Sequence, residues 1–449
     1  MHYISPPARK NAPLLPATTD SGKWPLMIFS HGLGGNRNTY SHIVGSIASH
    51  GVVVVTPEHR DGSAPVSYSR NPESLRKHDS TTTDYRRAPH AATQEVHDIR
   101  TSQLKTRMYE LGLIYDALIR TEGGRTPTNL NTSSTTLLPM FNNKLALHKP
   151  GEVSFAGHSF GAATISQFIK SVFYSPFTDA PAEFEPLFTP KQDSAIKSQI
   201  TPNTPLILLD IWLLPLRSPS SRWLWNKPLP CYAPSGPGGQ GILAVESQAF
   251  WKWRVHLKVT KRFLSPDPGC VGTMRQCETD SRPPPHFYYA TASAHLSQSD
   301  FGILFPWATK RFMGVEEPER VLRLNTRAVL QLMRQQGIAV APTSVKDMEL
   351  QVDGEKTETS TSAPTQDTEI FSDTGAIRGW NFLDLDVSGM TDVKAEDEEQ
   401  QEDRGQGQSA MGGGEDTEGA NIGKNPSEAV MEGETMQRDD RRGEGGSNL

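Results

Sequence analysis

The sequence predicts an α/β fold, a mainly parallel sheet with helices on both faces, carrying a disordered acidic tail. Three observations lead there. Six short apolar runs alternate with stretches of helical periodicity. One of those runs leads into a Gly-x-Ser-x-Gly turn and then a helical face. The acidic residues gather at the C-terminal end. A short apolar run without alternation reads as a strand buried on both faces, the environment a parallel sheet provides.

Taken in order, the strands are PLMIF (25–29), VVVV (52–55), VSFA (153–156), PLILL (205–209), ILAV (242–245) and FYYA (287–290). Between them Leu104, Met108, Leu111, Tyr115 and Leu118 recur at a spacing of three to four, one face of a helix. Val321, Leu324, Ala328 and Leu332 do the same near the end of the body. Two polar stretches, 61–94 and 121–148, break the pattern and read as long surface insertions.

The 449 residues carry a net charge of −6. Residues 391–449 hold 16 acidic and 6 basic residues, so the rest of the chain is net positive by 4. From Ala341 onward the composition is Thr, Ser, Glu, Asp, Gly and Gln, too poor in apolar surface to offset the entropy of ordering. The division is therefore a folded body over 1–341 and a low-complexity acidic disordered tail over 342–449. Trp380, Phe382, Leu383 and Leu385 in RGWNFLDLD are the exception, either docking on the body or standing as a sticky patch in the tail. No apolar run reaches ~18 residues, so no transmembrane helix is expected. The start has no apolar core of a signal peptide, and an intracellular, cytoplasmic location is the default expectation. Three cysteines exclude a disulfide scaffold, and with no CxxC or His-rich pattern they do not suggest zinc. Nothing points to a nucleotide cofactor or to nucleic acid.

Chemistry concentrates in VSFAGHSFGAATI. A serine on a sharp strand-to-helix turn, Gly157-His158-Ser159-Phe160-Gly161, is pushed above the sheet, and the flanking glycines make room for the turn. Ser159 is the nucleophile candidate. The backbone N–H after it, that of Phe160, points where an oxyanion forms. A second donor is expected after an earlier strand, and His31-Gly32-Leu33-Gly34-Gly35 supplies it through the amide of Leu33. A phosphate cradle would need a Lys-Ser/Thr ending that is absent.

The acid of such a site follows the serine in the chain and the base comes last. Asp210 stands directly behind the apolar run 206–209; a carboxylate there needs a partner, and the bland alternative is a helix cap. His256, His286 and His295 follow it. His256 fits a helix face in WKWRVHLKV, and His286 lies at the wrong end of its strand. His295 lies past the far end of the last clear strand, where loops gather over the serine, and is the base candidate. His31 beside the oxyanion turn reads as structural. Glu58-His59-Arg60-Asp61 reads as an ion-pair network under the site or as substrate contacts. The clusters Trp212-Leu213-Leu214, Trp223-Leu224-Trp225 and Phe250-Trp251-Lys252-Trp253 are either core or, where Trp meets Lys and Arg, a lipid interface.

Five blocks occur in order: FSHGLGGNRNTYSHI, ASHGVVVVTPEHRDGSAPVSY, GHSFGAATI, LLDIWLLPL and HLSQSDF. Together they resemble the platelet-activating factor acetylhydrolases, the group that includes lipoprotein-associated phospholipase. The likeness runs from about Trp24 to about Gly337, and by it the body reads as N-terminally short and the tail as uncovered. The resemblance implies an α/β-hydrolase fold. It also implies calcium-independent hydrolysis of the sn-2 acetyl or short, oxidised acyl ester of a phospholipid, with possible lipid-surface contact. It assigns Ser159, Asp210 and His295 as nucleophile, acid and base, with Leu33 and Phe160 as oxyanion donors. The alternatives from the residues alone are a carboxylesterase or dienelactone-type hydrolase of small soluble esters, and a non-catalytic lipid-binding relative.

Overall fold

The computed structural model describes residues 8–348 and 366–386, apart from 10, 72, 75–78, 91, 131–137 and 271–281. Its centre is a seven-stranded sheet in the order β2-β1-β5-β6-β7-β8-β9. The strands are β1 (Leu26–Ser30), β2 (Val53–Val55), β5 (Ser154–His158), β6 (Leu206–Leu209), β7 (Ile242–Ser247), β8 (His286–Ala290) and β9 (Trp380–Phe382). Pairing is parallel throughout except for β9, which runs antiparallel to β8. All six strands expected from apolar runs are present within one or two residues of their expected ends.

Every residue of β1, β5, β6 and β7 is buried, which is why those runs lack alternation. Along β1 successive side chains still serve opposite faces. Leu26 and Ile28 join a core with α2 (Gln94–Glu122) and α3 (Phe160–Phe173), whereas Met27 and Phe29 join another with α1 (Ser41–Ser49) and α6 (Pro318–Gln335). Two further helices, α4 (Arg254–Leu264) and α5 (Pro306–Met313), lie between β7 and α6 in the chain.

Two departures from the sequence reading have clear causes. The stretch 61–94 is no simple surface insertion. It opens with buried Gly62, Ser63 and Ala64, and continues in an antiparallel hairpin of β3 (Val66–Arg70) and β4 (Ser80–Asp84). The stretch 121–148 likewise ends in buried Leu145, Ala146 and Leu147, with Leu145 bridging to Trp24. The folded body also extends past 341. Residues 366–386 pack onto it, with Trp380 3% exposed and stacked on Tyr288. Asp367 meets the Arg327 guanidinium in a fully buried, bidentate pair. Of the two readings of RGWNFLDLD, docking on the body is the one the structure shows, and the docked segment begins earlier, at Asp367. The remainder of the expected tail, 349–365 and 387–449, lies outside the described residues.

Candidate active site

The strand order fixes where a site belongs. The chain steps from β1 out to β2 and then returns to the other side of β1 as β5. Connections diverge at this switch point, leaving a crevice at the carboxyl ends of β1 and β5. Gly32 follows β1 and Ser159 follows β5. A Cβ on Gly32 would stand 3.0 Å from the Ser159 Cβ.

Ser159 has φ 55° and ψ −122°, a conformation few non-glycine residues adopt. Three contacts hold the turn: its N–H donates to Leu209 O (2.9 Å), and its carbonyl accepts from Ala163 (3.1 Å) and Trp212 (3.3 Å). The neighbouring glycines are obligatory. A Cβ on Gly161 would strike the Ser30 and His31 carbonyls, and one on Gly157 would strike the Gly161 and Ala162 backbone. Phe160 opens α3, so its amide is one of the first-turn N–H groups with no partner inside the helix.

The loop after β1 supplies the second amide. Gly34 N–H donates to Ser63 O, Gly35 N–H to Gly32 O, and Gly32 N–H to the Tyr40 hydroxyl. Of these four consecutive amides, that of Leu33 is the one left without a partner among the described residues. The Tyr40 hydroxyl in turn meets His158 Nδ1 at 2.8 Å, tying this loop to the serine turn.

Asp210 lies just beyond β6, at φ 41°, and is fully buried. Its Oδ1 accepts the Ser247 N–H at 2.5 Å and its Oδ2 faces His295 Nδ1 at 3.1 Å. With a carboxylate as partner, Nδ1 carries the ring proton and Nε2 is the free acceptor. The His295 ring stacks on Phe250 at 4.5 Å and lies 4.4 Å from His158. Burial holds the His295 ring neutral, its pKa below the ordinary value, and pushes Asp210 up. Burial likewise holds His158 neutral. Leu33, Tyr40, His158, Ser159, His295 and Phe301 bound one small cavity of about 30 Å³. All of the sequence-derived residues thus meet at one place: Ser159, Leu33 and His295 on the cavity, Asp210 behind His295, and the Phe160 amide beside the serine.

The other histidines are accounted for. His256 meets the Phe250 ring edge-on at 5.1 Å, with its Nε2 accepting the Leu213 N–H at 3.4 Å. His286 opens β8 at the opposite end of the sheet and stacks on Phe371. His31 bonds Gly32 O through Nδ1 and accepts the His59 N–H at Nε2. His158, Asp210 and His295 are the one cluster among the described residues with ligand atoms close enough for a metal, within 4.8 Å of one another. Asp210 bonds Ser247 and His295, and His158 bonds Tyr40 through Nδ1, while its Nε2 has no hydrogen-bond partner.

The charged block after β2 is a network beneath the site. Arg107, fully buried on α2, donates through Nε to Asp61 at 2.6 Å and through Nη1 to the His31 carbonyl at 2.8 Å. It also reaches Ser63 Oγ and lies over the Phe160 ring. Burial alone would raise the Asp61 pKa, but the Arg107 guanidinium, His59 and the Ser63 hydroxyl together outweigh it and hold the carboxyl at about 2. His59 bonds Glu110 and Ser30. Asp300 accepts from the Ser41 and His42 amides, so the loop behind His295 caps α1. Sequence reasoning did not single out Arg107, Tyr40 or Asp300. For Arg107 a signal existed: it lies beside Leu104, Met108 and Leu111 on the inward face of α2, where a charge requires a buried partner.

The tryptophan clusters are mostly core. Trp212, Trp225 and Trp253 are buried, and Trp251 stacks on Tyr289. Exposed aromatics are found instead at Trp307 and Phe312 on α5 and at Tyr68 on β3. No described helix is long and apolar enough to cross a membrane.

A family model described as platelet-activating factor acetylhydrolase, isoform II, matches residues 2–229, half of the chain. A Schizosaccharomyces pombe protein named "Putative phospholipase A2" is 27% identical over 70% of this chain and 68% of its own length. The platelet-activating factor acetylhydrolases of Canis lupus familiaris and Bos taurus are 31% and 34% identical over 36% and 32% of this chain. Those matches span 35% and 32% of the two relatives. A solved ferulic acid esterase from Streptomyces cinnamoneus aligns with TM-score 0.35 and 13% identity, over 70% of this chain and 67% of that one.

Proposed function

The chain belongs to the platelet-activating factor acetylhydrolase, isoform II, family, and on that premise we propose that it is a serine esterase of phospholipids. It hydrolyses the sn-2 acetyl or short, oxidised acyl ester through an acyl-enzyme and needs no calcium. The observation that carries this reading is the Asp210–His295 hydrogen bond beside a cavity that Ser159 lines.

His295, oriented by Asp210, takes the Ser159 proton as Oγ attacks the ester carbonyl. The amides of Leu33 and Phe160 receive the oxyanion; losing one such donor typically costs about 10²–10³ in rate. His295 passes the proton to the departing lysophospholipid alcohol. It then deprotonates water, which releases the short acid and restores the serine.

A fluorophosphonate probe tests the nucleophile. Wild type is expected to label and Ser159→Ala to stay unlabelled, folded and without turnover. Labelling of the Ser159→Ala variant at the wild-type level removes Ser159 from the role. Vesicles carrying short sn-2 chains, assayed with and without a calcium chelator beside p-nitrophenyl esters, separate the phospholipid reading from that of a soluble-ester hydrolase.

A further inference from the structure

Asp210 has a second carboxyl beside it. Strands β6 and β7 pair in register up to Leu209 and Val245, so the next residues outward, Asp210 and Glu246, sit side by side at the carboxyl ends. Glu246 is 1% exposed and Asp210 0%. No lysine, arginine or histidine reaches Glu246 in an ion pair among the described residues, and its Oε2 has no hydrogen-bond partner. The groups facing the pair are His158 and His295 on Asp210, with His90 and His256 further out around His295 and Arg217 beyond His256. Burial keeps all four rings neutral. Two adjacent carboxylates in such surroundings cannot both ionise, so one keeps its proton.

The division of that proton follows from the contacts. Asp210 already receives the Ser247 N–H and the His295 Nδ1–H, which favour its anion. Glu246 has no comparable donor, and burial together with the Asp210 charge pushes its pKa far up.

We propose that Glu246 is a positioning residue, a neutral carboxylic acid that donates its O–H to Asp210 and thereby sets the proton affinity of His295. This rests on the roles proposed above for Asp210 and His295. The donated hydrogen bond spreads the Asp210 charge, fixes the carboxylate in the plane that meets Nδ1, and lowers the basicity of the imidazole. Ionisation of Glu246 at high pH would place a second negative charge against Asp210 and raise that basicity again.

The test compares Glu246→Gln, which keeps a donor at the same length, with Glu246→Leu, which has none. The readout is kcat/KM against pH on a short-chain ester. Glu246→Leu is expected to lower kcat about tenfold and move the acid limb to higher pH. Glu246→Gln is expected to recover most of the rate, return the acid limb to its wild-type position, and lose any alkaline change due to Glu246 ionisation. Infrared difference spectra supply a reading that does not depend on the Leu variant folding. A protonated carboxyl carbonyl band at neutral pH, present in wild type and missing in Glu246→Gln, is expected. Absence of that band overturns the proposal. So does an acid limb that stays in place in folded Glu246→Leu, or a Gln variant as impaired as the Leu one. Failure of the triad reading shows separately, as fluorophosphonate labelling that survives Ser159→Ala.

Discussion

Ser159 can hold a positive φ only because its surroundings leave it no alternative, and much of that constraint passes through Arg107. One guanidinium binds the loop after β1 at the His31 carbonyl, the loop after β2 at Asp61 and Ser63, and the first turn of α3 over Phe160. Removing one partner of a buried ion pair leaves a charge without compensation, at a cost of about 3–5 kcal/mol. Arg107→Ala is therefore expected to lose that much stability in urea denaturation, with activity falling further because the Leu33 loop is released. Replacing Arg107 and Asp61 together by apolar residues is expected to cost distinctly less. A single-variant loss under about 1 kcal/mol would show that the network holds nothing in place. At this scale the sequence was legible wherever chemistry forces a local pattern. Gly157 and Gly161 are written by the steric needs of the turn, and Asp210 and His295 by their position just past strand ends. Tyr40 and Glu246 were not legible, because their partners lie 118 and 36 positions away along the chain and no local spacing records them; for Arg107 the helix face signalled burial but not its partners, the His31 carbonyl lying 76 positions away.

Among the elements, the strands were readable because burial on both faces leaves an uninterrupted apolar run. The hairpin β3–β4 was hidden, since Val66–Arg70 and Ser80–Asp84 are half-exposed, polar strands paired mainly with each other. Strand β9 falls in RGWNFLDLD, where the apolar residues allowed docking on the body but nothing in the sequence marked a strand pairing with β8. It covers the outer edge of β8, which would otherwise offer unpaired backbone groups to another chain. Trp380 fills the corner between Tyr288 and Ile370, its indole N–H donating to the Ile370 carbonyl at 2.9 Å. A chain ending at residue 365 loses β9, the Arg327–Asp367 pair and the Trp380 contacts at once. It is expected to melt well below the full chain and to aggregate on heating. A chain ending at residue 386 keeps every one of these contacts and is expected to melt with the full chain. Equal melting of all three in calorimetry would mean that the seventh strand contributes nothing to the fold.

For the whole molecule, the density of buried imidazoles decides the response to acid. Seven histidines have pKa values pushed down by burial: His31, His59, His158 and His295, His90 and His286 to about 4, and His256 to about 3. Below the ordinary imidazole pKa of ~6.5 the unfolded chain binds a proton at each, while the fold does not until far lower pH. Stability therefore falls as pH drops from about 6.5 toward 4. Four buried or half-buried carboxyls act in the opposite sense. Asp210 at about 6, Glu110 at about 7, Glu246 higher still, and Asp300, which burial also pushes up, retain protons in the fold that the unfolded chain gives up above ~4.3. Seven against four leaves the unfolded state binding the greater number near pH 5. One proton of difference amounts to ~1.4 kcal/mol per pH unit, so the net slope is on the order of a few kcal/mol per unit. The melting temperature is expected to be highest at or above neutral pH and to drop steeply between pH 6 and 5. Calorimetry across pH 5–8 checks this, and a melting temperature that holds level or rises from pH 7 to 5 contradicts it. The same burial that keeps His295 neutral, as its proposed role as base requires, is expected to make the fold itself intolerant of acid, so an acidic loss of activity is expected to have two sources. Refolding on return to neutral pH separates them. Protonation of His295 in the intact fold reverses at once, whereas activity lost to unfolding returns only at the rate of folding.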